Sequence, residues 1–123
     1  MFTGIIETLG EVVTTKKDGS NLIITIRTPL ANELKIDQSV AHNGVCLTVT
    51  NIRDNTYEVV AVAETLQKTN LGQLTPTHHV NLERAMIFNG RIDGHLVQGH
   101  VDGVGECISV EEQKGSWLYR FRF

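Results

Sequence analysis

Histidine and cysteine are the side chains here with the most chemistry to offer, and their spacing limits what that chemistry is. His78 and His79 are adjacent, so in an extended chain they point to opposite faces. His95 and His100 stand five residues apart with no cysteine beside them. Neither pair has the spacing of a structural metal site, and no metal is expected. Cys46 and Cys107 are far apart and neither belongs to a CxxC pair. They read as free thiols of a reducing compartment. A single imidazole such as His100 can accept and return a proton near pH 7. It can equally be a hydrogen-bonded strand residue, and Cys46 can equally be a small core side chain. Gly99, Gly103 and Gly105 make no GxGxxG fingerprint, and no βαβ unit surrounds them, so a dinucleotide site is not expected.

Composition narrows the partners. The chain has 123 residues, of which 41% are hydrophobic and 20% charged, with a formal net charge of -3. That is enough apolar material for one ordinary domain, or one small domain and part of another. No basic stripe is present, which argues against nucleic acid. No apolar run approaches the ~18 residues of a membrane span. Met1–Gly10 has no basic stretch followed by a long apolar run, so no signal peptide is expected and the location is read as cytoplasmic.

The elements that must position these groups are short and β-prone. Thr3–Thr15 reads as a strand ending in Lys16-Lys17-Asp18-Gly19-Ser20, where Asp-Gly suits a hairpin turn. Asn21–Arg27 places Leu22, Ile24 and Ile26 on one face, the alternation of a half-buried strand. Thr28-Pro29 suits a helix start, so Leu30–Lys35 is read as a short helix. Ser39–Ile52 reads as a strand with an Asn43-Gly44 step inside it. Asp54-Asn55 turns into the strand Thr56–Ala63. Glu64–Leu71 reads as one or two helical turns stopped by Gly72. His79–Ala85 returns to strand, and Asn89-Gly90 is another turn. Glu83-Arg84 reads as an ion pair of modest value. Strands at this spacing with few helices predict an all-β closed barrel or sandwich.

An internal repeat organises the whole. Thr3–Thr15 lies over Gln98–Val110, with Gly4 on Gly99, Gly10 on Gly105 and Glu11 on Glu106. Beyond this, with one extra residue in the second copy, Ser20 meets Ser116 and Leu22 meets Leu118. The offset of about 95 residues exceeds solenoid periods of about 20–50 and indicates a tandem duplication. Residues 1–97 are read as one barrel and residues 98–123 as the start of a second. The strand at Trp117–Phe123 would expose an edge if left without partners. The tail is expected to dock on the first barrel or to pair with another molecule.

Five segments carry a family resemblance: Met1-Phe2-Thr3-Gly4-Ile5, Asn43-Gly44-Val45-Cys46-Leu47-Thr48-Val49, Glu64-Thr65-Leu66 with Thr69-Asn70-Leu71-Gly72, Val80-Asn81-Leu82-Glu83-Arg84-Ala85, and Gly94-His95-Leu96-Val97-Gln98-Gly99-His100-Val101-Asp102-Gly103. In this order and spacing the chain resembles riboflavin synthase. The resemblance implies a six-stranded Greek-key β-barrel with one or two short helices, followed by an incomplete second copy. It implies an enzyme that uses neither metal nor separate cofactor. In that family two 6,7-dimethyl-8-ribityllumazine molecules exchange a four-carbon unit, giving riboflavin and a pyrimidinedione. The full-length family member is a homotrimer; a homodimer or a strand-paired oligomer is expected for this shorter chain.

The resemblance also assigns residues. Ligand contacts are expected from Gly4, Ile5 and Ile6, from Cys46, Leu47 and Thr48, from Val60, Ala61, Val62, Ala63, Glu64 and Thr65, and from Gly99, His100 and Val101. His100 is the candidate proton carrier, Cys46 and Thr48 are positioning or polarising groups, and Phe2 shapes the pocket. The chemistry is one of juxtaposition, because holding two rings in attack geometry supplies a large effective concentration. Half of that site comes from the barrel that is incomplete here. The chain is therefore expected to bind lumazine or riboflavin with little turnover. The alternative is a non-catalytic lumazine protein. That reading goes with loss of the Thr-Gly-Ile, Glu-Thr-Leu and Gly-His-Val-Asp-Gly motifs, all of which are kept. Val60 and Val62-Ala63 depart from the more polar or bulkier residues common in the family.

Overall fold

The computed structural model describes all residues, 1–123. Six strands close a barrel: β1 (Thr8–Asp18), β2 (Asn21–Arg27), β3 (Ser39–His42), β4 (Val45–Arg53), β5 (Thr56–Ala61) and β6 (His79–Arg84). Their order around the barrel is β1-β2-β5-β4-β3-β6, and every neighbouring pair is antiparallel. Strands β3, β4 and β5 run as consecutive hairpins while β2 lies beside β5, a Greek key. No helix is long and apolar enough to cross a membrane.

Alternation decides which side chains fill the interior. Leu22, Ile24 and Ile26 of β2, Val45, Leu47 and Val49 of β4, Tyr57, Val59 and Ala61 of β5, and Val80 and Leu82 of β6 are all buried in one cluster. Each large apolar side chain buried this way contributes roughly 1.5–3 kcal/mol. Gly10 faces the same interior. A Cβ there would lie 2.6 Å from Ile26 Cγ2 and 2.7 Å from Leu82 Cδ1, so no side chain fits where β1 crosses β2 and β6. The interior holds one polar pair. His42 Nε2 and the Tyr57 hydroxyl are 2.6 Å apart, and His42 Nδ1 makes no hydrogen bond within the protein. Burial lowers the His42 pKa to about 4 and pushes the Tyr57 phenol well above its usual range, so the pair is neutral.

Several local expectations are corrected. β1 begins at Thr8, not Thr3; the segment before it is held by a bridge from Phe2 to Val97 and by backbone hydrogen bonds such as Glu7 N–H to the Leu82 carbonyl. Asp18 pairs with Asn21, so the turn is Gly19-Ser20, with Gly19 at φ +60°. Glycine at the first of two turn residues marks a type II′ hairpin. Asn43-Gly44 is not a step inside a strand but a hairpin turn joining β3 to β4, with φ of +50° and +84°. These are the two left-handed positions of a type I′ turn. The expected helix at Leu30–Lys35 is a 3-10 turn at Pro29–Glu33, where Thr28 Oγ1 accepts from the Leu30 N–H at 3.4 Å. Helix α1 spans Ala63–Lys68, and Gly72 lies within a following 3-10 turn at Leu71–Gln73 rather than ending a helix.

The repeat is visible as geometry. Strands β7 (Glu106–Glu112) and β8 (Trp117–Arg122) form a separate hairpin. The β1–β2 ladder slips between Val12 and Thr14, and the β7–β8 ladder slips between Cys107 and Ser109, the same repeat positions. Glu11 faces Arg27, and Glu106 faces Arg122; both pairs are salt bridges, at 3.5 and 2.5 Å. The offset therefore stays constant through both strands. No extra residue enters the second copy, and Leu22 corresponds to Trp117 rather than Leu118. The hairpin pairs only within itself, and neither β7 nor β8 joins the barrel. Trp117, Tyr119, Phe121 and Phe123 are exposed.

Candidate functional site

The residues singled out on β4 and β5 lie partly on the outer face of the barrel, because alternation sends every second residue outward. Cys46 and Thr48 point out where Val45, Leu47 and Val49 point in, and Val60 points out between buried Val59 and Ala61. Val62 then caps α1, which sets Glu64, Thr65 and Lys68 beside this face.

A strap from the second repeat crosses the same face. Phe2 and Val97 exchange backbone hydrogen bonds at 2.7 and 2.9 Å, and the Cys46 N–H donates to the Gly99 carbonyl at 3.0 Å. Phe2 and Val97 occupy the same position in the two copies, so equivalent residues meet, as a local twofold relation produces. Gly99 sits at φ +81°, and a Cβ there would lie 2.9 Å from both Cys46 Cβ and Phe2 Cε2. Only glycine lets the strap lie this close. The strap then delivers His100, Val101 and Asp102 to a cleft of about 380 Å³.

Cys46, Glu64, Thr65, Gly99, His100 and Val101 all line that cleft, together with Val45, Lys68, Thr69 and Asp102. Thr48, Val60, Val62 and Ala63 lie on or beside the same outer face without lining the cleft. Leu47 and Ala61 turn their side chains into the core, leaving only backbone to offer a ligand. Gly4, Ile5 and Ile6 are elsewhere. Ile5 lines a second cleft of about 360 Å³ with Thr3, Glu83, Arg84, Ile87 and Arg91. Phe2 is buried, its ring edge against Gly99. Glu64 and Lys68, four apart on α1, pair at 2.7 Å. This bond holds the Glu64 carboxyl below its usual range and raises the Lys68 ammonium.

One residue has a place that sequence reasoning missed. Glu83 does not pair with Arg84. Adjacent strand residues face opposite ways, and Arg84, at the end of β6 on the side of Val80 and Leu82, reaches Glu7 at 2.8 Å and Glu33 at 2.7 Å. Glu83 lies on the face opposite Val80 and Leu82 and is buried there beneath the N-terminal segment, accepting from the Thr3 N–H at 2.5 Å, the Thr3 hydroxyl at 2.8 Å and the Gly4 N–H at 3.1 Å. It thereby anchors the segment that carries Phe2 against the strap. The signal was the lone Glu in a strand that otherwise buries alternate residues.

The structure is a closed Greek-key barrel with a cleft of about 380 Å³ on its outer face, beneath the segment that carries Gly99 to Asp102. The lumazine binding domain matches residues 3–85, and the chain belongs to that family. It is 42% identical over 123 residues to the riboflavin synthase of Actinobacillus pleuropneumoniae, covering 99% of this chain and 57% of that protein. The chain thus spans little more than half the length of such relatives. Its fold is that of LumP complexed with 6,7-dimethyl-8-(1'-D-ribityl) lumazine, at TM-score 0.87 and 20% identity, covering 100% of this chain and 69% of that one. LumP complexed with riboflavin matches at TM-score 0.82 and 22% identity, covering 93% and 62%.

Proposed function

We propose that this chain is a lumazine-binding portion of a riboflavin synthase, and that its cleft takes one 6,7-dimethyl-8-ribityllumazine or riboflavin. The observation that carries the reading is the strap: the bond from the Cys46 N–H to the Gly99 carbonyl fixes His100 over the outward face of β4. A flat heteroaromatic ring needs an apolar shelf and edge partners. Cys46 and Val101 supply the shelf, and Thr65 and the strap backbone supply hydrogen-bonding groups. The ribityl hydroxyls then reach Glu64 and Lys68.

In the proposed reaction the strap imidazole removes a proton from the 7-methyl group of the bound lumazine. The resulting carbanion is delocalised into the ring. A second lumazine, held face to face, gives up its four-carbon unit. Riboflavin and 5-amino-6-ribitylaminopyrimidinedione leave, and the proton is returned. Proximity does most of the work, so the second ring must be held as well. This chain offers one complete outer-face cleft and only a hairpin of the next barrel. Binding without rapid turnover follows, together with a dimer in which two clefts meet.

Mixing the chain with 6,7-dimethyl-8-ribityllumazine tests this. A fast change in lumazine emission with little riboflavin formed supports the proposal. No change in emission overturns the binding reading, and rapid riboflavin formation overturns the half-site argument.

A further inference from the structure

We infer that Thr69 is a positioning residue for the cleft: its hydroxyl seats helix α1 on the barrel and so fixes one wall of the ligand site. The inference rests on the flavin-binding reading above and adds to it the group that sets the shape of that site. Helix α1 has six residues, Ala63–Lys68, and none of them is buried. Isolated helices shorter than about 12–15 residues are marginal in water, and Val62, at the N-cap, gives α1 no side-chain hydrogen bond. Leu66 is half-buried against the core, and the chain is first rooted at Leu71, which is fully buried. Thr69 lies between the two and is 9% exposed. Its hydroxyl donates to the Thr65 carbonyl at 2.7 Å, and the same oxygen accepts from the Leu71 N–H at 3.3 Å. One side chain thus ties the last turn of α1 to the residue that is fixed in the core.

The tie bears on a ligand because α1 is a wall of the cleft. Glu64, Thr65 and Lys68 line the cleft from α1, Cys46 lines it from β4, and His100 and Val101 line it from the strap. The Cys46 N–H bonds the Gly99 carbonyl at 3.0 Å, which joins β4 to the strap. In α1 the bonds from the Leu66 N–H to the Val62 carbonyl and from the Thr69 N–H to the Thr65 carbonyl close turns of the helix on itself. They do not reach the barrel. A short element held this way opens locally before the fold does. Valine has nearly the shape of threonine but can neither donate to the Thr65 carbonyl nor accept from the Leu71 N–H. Apparent affinity scales with the fraction of molecules whose site is formed. Loss of both bonds is expected to leave α1 seated in about a tenth of the molecules, so that riboflavin affinity falls about tenfold.

The test compares Thr69→Val with the conservative Thr69→Ser in the whole chain. Riboflavin affinity is read by fluorescence titration below the melting transition of every variant, and amide hydrogen exchange is followed with and without riboflavin. Thr69→Val is expected to lower affinity about tenfold and to speed exchange at Leu66 and Thr69, while the amides of β4 keep their protection. Thr69→Ser is expected to restore affinity to within about threefold of the parent. In the parent chain riboflavin is expected to slow exchange at Leu66 and Thr69, a readout that holds even if the valine variant fails to fold. An affinity unmoved by Thr69→Val while α1 exchanges faster would make the tie purely structural and overturn the inference. Equal losses in the valine and serine variants would overturn it by removing the hydroxyl as the cause. Riboflavin binding that leaves α1 exchange in the parent unchanged would overturn it as well, with flavin binding left in place. Failure of the parent to bind riboflavin at all would overturn both readings.

Discussion

Two glycines in the same repeat position give the sharpest test of how the site is built. Gly4 and Gly99 have φ of +82° and +81°. Alanine at either position suffers the same left-handed backbone penalty, about 1–2 kcal/mol. Their surroundings differ. A Cβ on Gly4 would meet nothing nearer than 3.6 Å, whereas a Cβ on Gly99 would lie 2.9 Å from both Cys46 Cβ and Phe2 Cε2. Overpacking of that kind adds roughly 1–3 kcal/mol. Gly4→Ala should therefore lose about 1–2 kcal/mol in urea denaturation and keep its flavin affinity within about threefold. Gly99→Ala should force the strap outward, break the hydrogen bond from the Cys46 N–H to the Gly99 carbonyl, and displace His100. Part of the cost is then taken by local detachment, so ligand affinity falls at least about tenfold, more than global stability alone suggests. Equal effects of the two substitutions on riboflavin affinity would refute the role given to the strap.

Glu83→Ala removes the acceptor shared by Thr3 and Gly4 and should lower stability by about 2–3 kcal/mol in urea. Arg84→Ala, which loses exposed pairs to Glu7 and Glu33, should lose no more than about 1 kcal/mol. The His42 pKa is lowered from 6.5 to about 4 in the fold. The unfolded chain therefore takes up a proton that the native state refuses, and stability falls as pH drops from 6.5 towards 4, by about 3 kcal/mol across the window. Denaturation midpoints measured at pH 7, 5.5 and 4 should show this slope, and a His42→Leu variant should lose much of it. Trp117 is exposed on the unpaired hairpin; its emission should be that of a solvated indole in dilute solution and shift to the blue if the hairpins pair at high concentration.

The barrel was legible in the sequence because its signals are local. Alternation in Leu22–Ile26 and the Val-rich run at Thr56–Ala61 fix which faces are buried, and Asp54-Asn55 and Asn89-Gly90 mark real turns. What was lost was register. A single residue changes a strand boundary into a turn, so neither the Asn43-Gly44 hairpin nor the constant offset through the second copy shows in the linear pattern. The ladder slip at Val12/Thr14 and at Cys107/Ser109 shows why: a bulge shifts pairing without leaving a mark in composition. The site was half legible. The motifs nominated Cys46, Glu64, Thr65, Gly99, His100 and Val101, which line one cleft, but nothing in a linear pattern says that Ile5 would line a different one. Nor does it show which way Glu83 points. Glu beside Arg reads as a pair, but strand alternation puts them on opposite faces, and Glu83 is buried by the N-terminal segment that covers its face.

Amide chemical-shift mapping on titration with riboflavin tests most directly whether the outer-face cleft under the strap is the binding site. The result expected is a set of shifts at Cys46, Thr65, Gly99, His100 and Val101 that saturates at one ligand per chain. Shifts confined to the other cleft, at Ile5, Ile87 and Arg91, would contradict it.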